Sequence, residues 1–265
     1  MEKSNIHEKI KLLTGSGMWH TQEVEDLPSV HLSDGPHGLR KQEEKERQNN
    51  VSLVSTCYPT ASALACSWDV TAAERLGRAV AKEAWNADVA VLLGPGINMK
   101  RSPLCGRNFE YFSEDPFLAG RLGAAYVSAA QGEDVAVSLK HFAANNQETN
   151  RQTSNSQIDE RALREIYLSA FEYVVKTARP ATIMASYNRL NGYYACENRH
   201  LLTEILREEW GFDGVVISDW GACADLAKAV KAGMDLEMPD SHGIHARKLK
   251  AALKAGEISE ADIAQ

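Results

Sequence analysis

No apolar run in this 265-residue chain approaches the roughly 20 residues that a helical membrane span needs. Positive charge is not in excess either. The formal net charge of -7 argues against a general nucleic-acid binder, which requires a basic patch. The opening stretch, MEKSNIHEKIKLL, is polar and charged and holds no signal-peptide core. The five cysteines, Cys57, Cys66, Cys105, Cys196 and Cys223, are odd in number, widely spaced and without a CxxC pair. That pattern fits reduced thiols and a cytoplasmic setting better than a disulfide framework or a zinc site, with a small buried apolar role expected for each. No GxGxxG or Walker-type loop follows any apolar run, so a nucleotide has no seat. No serine sits in a nucleophile elbow. The expectation is a chain with no cofactor, no metal, and neither nucleic acid nor membrane as partner.

What is present is ordinary in bulk. Hydrophobic residues make up 44% and charged residues 25%, typical of a globular protein, and the length suits one large domain such as an α/β barrel. The informative stretch is GFDGVVISDWG, Gly211 to Gly221. Turn residues lead into Val215-Val216-Ile217, a β-branched run that predicts a strand buried on both faces. It stops at Asp219, and a carboxylate at a strand's end stands where α/β proteins keep their chemistry. Trp220 next to it offers a flat wall for a sugar ring. The plainer alternative is that Asp219 caps the following helix.

The same design recurs along the chain. Val30 to Asp34 is a strand closing on a Gly/Pro turn, and residues 41–50, KQEEKERQNN, read as a solvated mobile loop. Thr60–Ala65 is expected as a second strand, and Val70–Ala84 carries an apolar stripe at helical spacing. Val89–Leu93 is a third strand, followed by a polar, Arg-rich loop from Asn98 to Phe112. Asp115-Pro116 starts a helix. Val135–Leu139 runs straight into Lys140-His141. A helix over Leu163–Val175 precedes a strand over Ala181–Ala185, and a helix over Leu201–Trp210 precedes the strand before Asp219. Met234–Met238 is a seventh strand. Roughly seven strand–helix units predict a single-domain α/β fold, a (β/α)8-like TIM barrel, imperfect or incomplete, ahead of a doubly wound open sheet. Ser259 to Asp262 reads as a capping box that opens a helix ending two turns later at Gln265. The expectation is one part of a larger protein.

The strand ends collect Asp34, Lys140, His141, Tyr187 and Asp219, with Arg101 and Arg107 in a long loop. Singly, each has a mild explanation as a turn former or solvated residue. Together they form a set suited to polyhydroxylated ligands, because a carboxylate accepts from two vicinal hydroxyls while Arg and Lys donate to others.

SDGPHGLR (33–40), LLGPGINMKRSPLCGRNFEYFSEDP (92–116), KHFAANNQETNR (140–151), MASYNRLNG (184–192), GFDGVVISDWGA (211–222) and LEMP (236–239) resemble, in order, glycoside hydrolase family 3 and its β-glucosidase branch most closely. The resemblance covers essentially the whole chain. It implies that residues 1–265 are the family's N-terminal barrel domain and that the substrate is a β-linked glucoside or oligosaccharide. Asp219 would be the nucleophile of a retaining hydrolysis, forming a covalent glycosyl-enzyme intermediate. Asp34, Arg107, Lys140, His141 and Tyr187 would hold the innermost sugar, with Arg101, Met184 and Trp220 near that pocket. Lys140 and Arg107 would favour the charged form of Asp219, and Tyr187 would hydrogen-bond its carboxylate or the ring oxygen.

Such a mechanism needs a second carboxyl as acid and base. In β-glucosidases of the family this is a Glu from a following α/β sandwich domain, absent from these residues. The family's N-acetylglucosaminidase branch places a His/Asp pair after a KHFPGHG-like run, but here the run is KHFAANNQ. Glu110, Glu148 and Glu237 qualify by charge only. The implied partner is therefore a C-terminal domain or second chain that supplies the acid/base. Alternatives are a non-catalytic sugar-binding barrel, or another barrel enzyme using Lys140 as a Schiff-base nucleophile.

Overall fold

The computed structural model describes residues 6–24, 27–42 and 51–265. Most of the polar loop expected at 41–50 lies outside them. Five strands form one parallel sheet: β1 (Leu32–Asp34), β2 (Val91–Leu93), β3 (Ala136–Phe142), β4 (Thr182–Ala185) and β5 (Val215–Ser218). They are hydrogen-bonded in chain order, with Leu32 against Val91, Val91 against Ala136, Ser138 against Thr182 and Thr182 against Val215.

Single backbone bridges complete the ring. Leu236 pairs in parallel with Ile217. The Glu237 N–H then donates to the Leu13 carbonyl, and the Gly15 N–H returns to the Glu237 carbonyl, at 2.9 Å each. Gly15–Ser16 pairs antiparallel with His20–Thr21, and the Leu32 N–H donates to the Trp19 carbonyl at 2.8 Å. The seventh strand expected over Met234–Met238 is thus reduced to short bridging contacts. The fold is an α/β barrel whose last turn is closed by an antiparallel ladder.

Alternation along the strands separates two cores. Leu32, Val91, Leu93, Met184, Ile217, Leu236 and Met238 point inward and pack on one another in the barrel's interior. Their neighbours Leu92, Val137, Leu139, Ile183 and Val216 point outward and are covered by helices. Val216 and Ile217 are buried as expected, but Val215 at the strand's entry is exposed.

The helix Val70–Asn86 begins at Asp69, whose carboxylate accepts from the Thr71 N–H, and buries Ala73, Leu76, Val80 and Ala84 along one stripe. Pro116–Gln131 begins at Asp115 with Pro116 in its first turn. The predicted helix at Leu163–Val175 extends from Glu160 to Ala178 and widens to i→i+5 bonding over Leu163–Tyr167. That predicted at Leu201–Trp210 spans His200–Glu209 with the same wide bonding. Thr60–Ala65 is not a strand. Ala61–Ala65 is a short helix capped by Thr60, whose hydroxyl accepts from the Ala63 N–H, because three alanines and a leucine behind an N-cap favour helix over extended backbone.

Candidate active site

All five strands end on one face of the barrel, and that geometry gathers the polar residues. Asp34 is the last residue of β1, and Gly35 turns the chain sharply there. With φ at +122° and the Gly38 carbonyl 2.1 Å from where a Cβ would stand, no side chain fits at Gly35. Lys140 and His141 belong to the far end of β3, Tyr187 follows β4 and Asp219 follows β5.

Lys140 is buried, and its Nζ lies 2.8 Å from Asp34 Oδ1 and 2.9 Å from Glu110 Oε1. Burial works against the ammonium, but the two carboxylates outweigh it and raise the Lys140 pKa. Glu110 also accepts from Arg107 Nε at 2.9 Å. Burial opposes its charge as well, yet the Lys140 and Arg107 cations hold its carboxyl far below the usual glutamate range.

Arg107 Nη2 lies 2.7 Å from His141 Nε2. A guanidinium can only donate, so that nitrogen accepts, and the ring carries its proton on Nδ1, 3.0 Å from the Tyr111 hydroxyl. Burial, then the Arg107 charge, push the His141 pKa well down, so the ring is neutral. Asn98 clamps the His141 backbone on both sides, accepting from its N–H at 2.7 Å and donating to its carbonyl at 2.8 Å.

Asp219 is 7% exposed. Its N–H donates to the Ala185 carbonyl at 2.9 Å, and its Oδ1 accepts from the Trp220 N–H at 2.8 Å. Oδ2 is buried with no hydrogen-bond partner, and His141 Nε2 is 3.7 Å away, too far for a bond. Burial raises the Asp219 pKa despite the lowering effects of Arg107, the Trp220 N–H and Lys140. Both cations favour the charged form, as expected, but burial outweighs them. Nor does Asp219 cap a helix: the next one, Leu226–Ala232, is capped by Asp225.

Tyr187 lies beside this carboxylate. Burial, then the Asp219 charge, push the phenol's pKa upward. Its hydroxyl donates to the Trp220 carbonyl at 2.9 Å and stands close enough to the carboxylate to help lower the Asp219 pKa. Trp220 is fixed further by its indole N–H, donating to the Met18 carbonyl at 2.8 Å, and by the Trp19 ring 5.2 Å away.

Asp34, Arg107, Lys140, His141, Tyr187, Asp219 and Trp220 therefore converge. Arg101 is exposed and makes no side-chain contact with this network. Met184 lies one layer below, in the barrel's apolar interior beside Ile217. Sequence reasoning missed Tyr111, Asn98 and Trp19. All three sit in irregular segments where no periodicity points to them; the polar loop Asn98–Phe112 was the available hint. Of the three glutamates proposed by charge, Glu148 is tied to Asn145 and Arg151, and Glu237 to His245. Among the described residues one trio could ligate a metal ion, Cys223, Glu237 and His245; it includes none of the residues that converge around Asp219.

Residues 36–265 match the glycosyl hydrolase family 3 N-terminal domain. The chain is 52% identical over 264 residues to thermostable β-glucosidase B of Acetivibrio thermocellus, covering 98% of this chain and 35% of that protein. It is 50% identical over 242 residues to an exo-α-(1→6)-L-arabinopyranosidase of Bifidobacterium longum, covering 89% and 32%. β-Glucosidase 3B of Thermotoga neapolitana, solved in complex with glucose, superposes with a TM-score of 0.93 at 40% identity, over 98% of this chain and 40% of that one. The chain thus spans about a third of the length of the curated relatives it matches.

Proposed function

The chain belongs to glycoside hydrolase family 3, and from that premise we propose that residues 1–265 are the barrel domain of a retaining β-glycosidase, a β-glucosidase acting on terminal non-reducing β-D-glucosyl residues. The observation that carries this reading is Asp219: a buried carboxylate at a strand end, one oxygen fixed by a backbone N–H and the other free to attack. Asp219 Oδ2 attacks the anomeric carbon as the glycosidic bond breaks, giving a glycosyl ester that water later hydrolyses. Asp34, held by Lys140, accepts from vicinal hydroxyls. Arg107 and Lys140 donate to the sugar and hold the field that keeps Asp219 reactive. His141 acts through Arg107, since both its nitrogens are committed. Trp220, braced by Trp19 and Tyr187, forms the flat wall.

Retention needs a second carboxyl roughly 5–5.5 Å from the nucleophile. Glu110 is locked in its ionised form, and Glu148 and Glu237 are committed to other partners. We assign the proton donor to a carboxyl supplied from outside these residues, by the rest of a longer protein or by a partner chain. The test is intact-protein mass after incubation with an activated 2-fluoro-β-glucoside, whose leaving group departs without an acid. One adduct on the peptide containing Asp219 is expected. No adduct, in protein shown by circular dichroism to be folded, sinks the assignment. The 50% identity to an arabinopyranosidase favours a second reading, the same nucleophile acting on a pentopyranoside. Faster labelling by the matching 2-fluoro-arabinopyranoside would select it.

A further inference from the structure

The fold gathers a trio of side chains that sequence spacing hides. Cys223 follows β5, Glu237 lies in the segment bridged to β5, and His245 stands in the first turn of the helix Ile244–Ala255. One donor atom from each lies within 4.8 Å of the other two, with Cys223 and Glu237 buried and His245 half-buried. Glu237 Oε1 is hydrogen-bonded to His245 Nδ1, while Oε2 is buried and has no hydrogen-bond partner. Glu237 is only 3% exposed, and a carboxylate oxygen sealed from water without a donor is costly. The neighbouring thiol is too weak a donor to relieve it.

We propose that Cys223, Glu237 and His245 form a binding site for a divalent cation of the zinc type. One sulfur, one nitrogen and one oxygen donor make a borderline-soft set that suits Zn²⁺ or Co²⁺. Ca²⁺ and Mg²⁺ ask for about six oxygens. With metal–ligand bonds of roughly 2.0–2.3 Å, tetrahedral donors stand about 3.3–3.6 Å apart, so side-chain shifts of about 1 Å close this trio on an ion. The ion takes the place of the proton between Glu237 and His245 and gives the orphaned oxygen a counter-charge. Three protein ligands leave a fourth position for water.

The site stands next to the nucleophile's loop. The Gly221 N–H donates to the Met238 carbonyl at 2.8 Å, and Ser218 Oγ donates to the same carbonyl at 3.1 Å. A bound ion therefore ties the loop carrying Asp219 and Trp220 to the next helix.

Cys57 and Cys66 are exposed and would bind metal on their own account, so the test uses a chain with both replaced by serine. Titration with Co²⁺ is expected to show one ion per chain, with the visible bands of tetrahedral cobalt and a near-ultraviolet thiolate-to-cobalt band. Zn²⁺ is expected to displace it. Cys223→Ser should remove the thiolate band, and His245→Ala should weaken Co²⁺ binding by about a hundredfold or more. Absence of the thiolate band at one equivalent of Co²⁺ overturns the proposal without any substitution in the site. A band that survives Cys223→Ser overturns it equally.

Discussion

Asp219 occupies surroundings that work against its own charge. Burial raises its pKa by more than Arg107, the Trp220 N–H and Lys140 lower it. The folded chain therefore holds this proton more tightly than the unfolded chain does. The stability the group contributes is complete below about pH 4 and is lost as the pH rises through the raised value. Asp219→Asn removes a charge the fold disfavours, so the variant is expected to melt above the wild type near pH 7 while losing all adduct formation. The gap should close toward about pH 4, as calorimetry across that range would show. No gap at neutral pH would mean that the two cations outweigh burial.

Glu110 is the opposite case. Its pKa is depressed, so its contribution is present above the ordinary glutamate range and is lost as the pH falls through the folded value. Glu110→Gln leaves Lys140 with one carboxylate in place of two and Arg107 with none at Nε. We expect a loss of about 3–5 kcal/mol in urea unfolding, the usual cost of breaking a buried pair from one side. An unchanged midpoint would show that water or Asp34 compensates. Asp34, Lys140, Tyr187 and Asp219 were legible in the sequence because strands advertise their ends. Glu110 was visible only as a charge, since its role depends on a loop folding back over β3, a path that no local pattern encodes.

At the scale of elements, long periodic segments were readable and short ones were not. Val70–Asn86 and Pro116–Gln131 carry stripes and caps that leave one interpretation. Thr60–Ala65 is a short apolar run, where strand and helix differ only in what packs on them, and the N-cap decided it. The packing of the two long helices depends on Gly77, whose missing Cβ would lie 2.4 Å from the Tyr126 carbonyl oxygen. In an isolated helix Gly→Ala stabilises by about 1 kcal/mol. Here Gly77→Ala forces the helices apart, and the expected result is a net loss of about 1–3 kcal/mol in thermal or urea unfolding. A gain in stability would show that the pair can separate freely.

For the whole molecule, the parallel strand order followed from the strand–helix alternation, but the closure did not. Two-residue pairings at Gly15–Ser16 and His20–Thr21 are too short to show a period, yet they complete the ring and bring Trp19 against Trp220. On the proposed reading the bowl so formed holds Asp219 as nucleophile beside a sugar pocket, with no carboxyl among Glu110, Glu148 and Glu237 free to protonate a leaving group. Its reactivity should then depend steeply on how well the leaving group departs unaided. The 265-residue chain is expected to release dinitrophenol from a dinitrophenyl β-glucoside in a burst of about one equivalent, then to slow at the deglycosylation step, where no base activates water. Azide, which attacks without a base, should restore turnover and give the β-glucosyl azide. Cellobiose, with its poor leaving group, should not be cleaved. Efficient cellobiose hydrolysis by this chain alone would place the acid/base within these residues, and a burst without azide acceleration would place the missing step elsewhere.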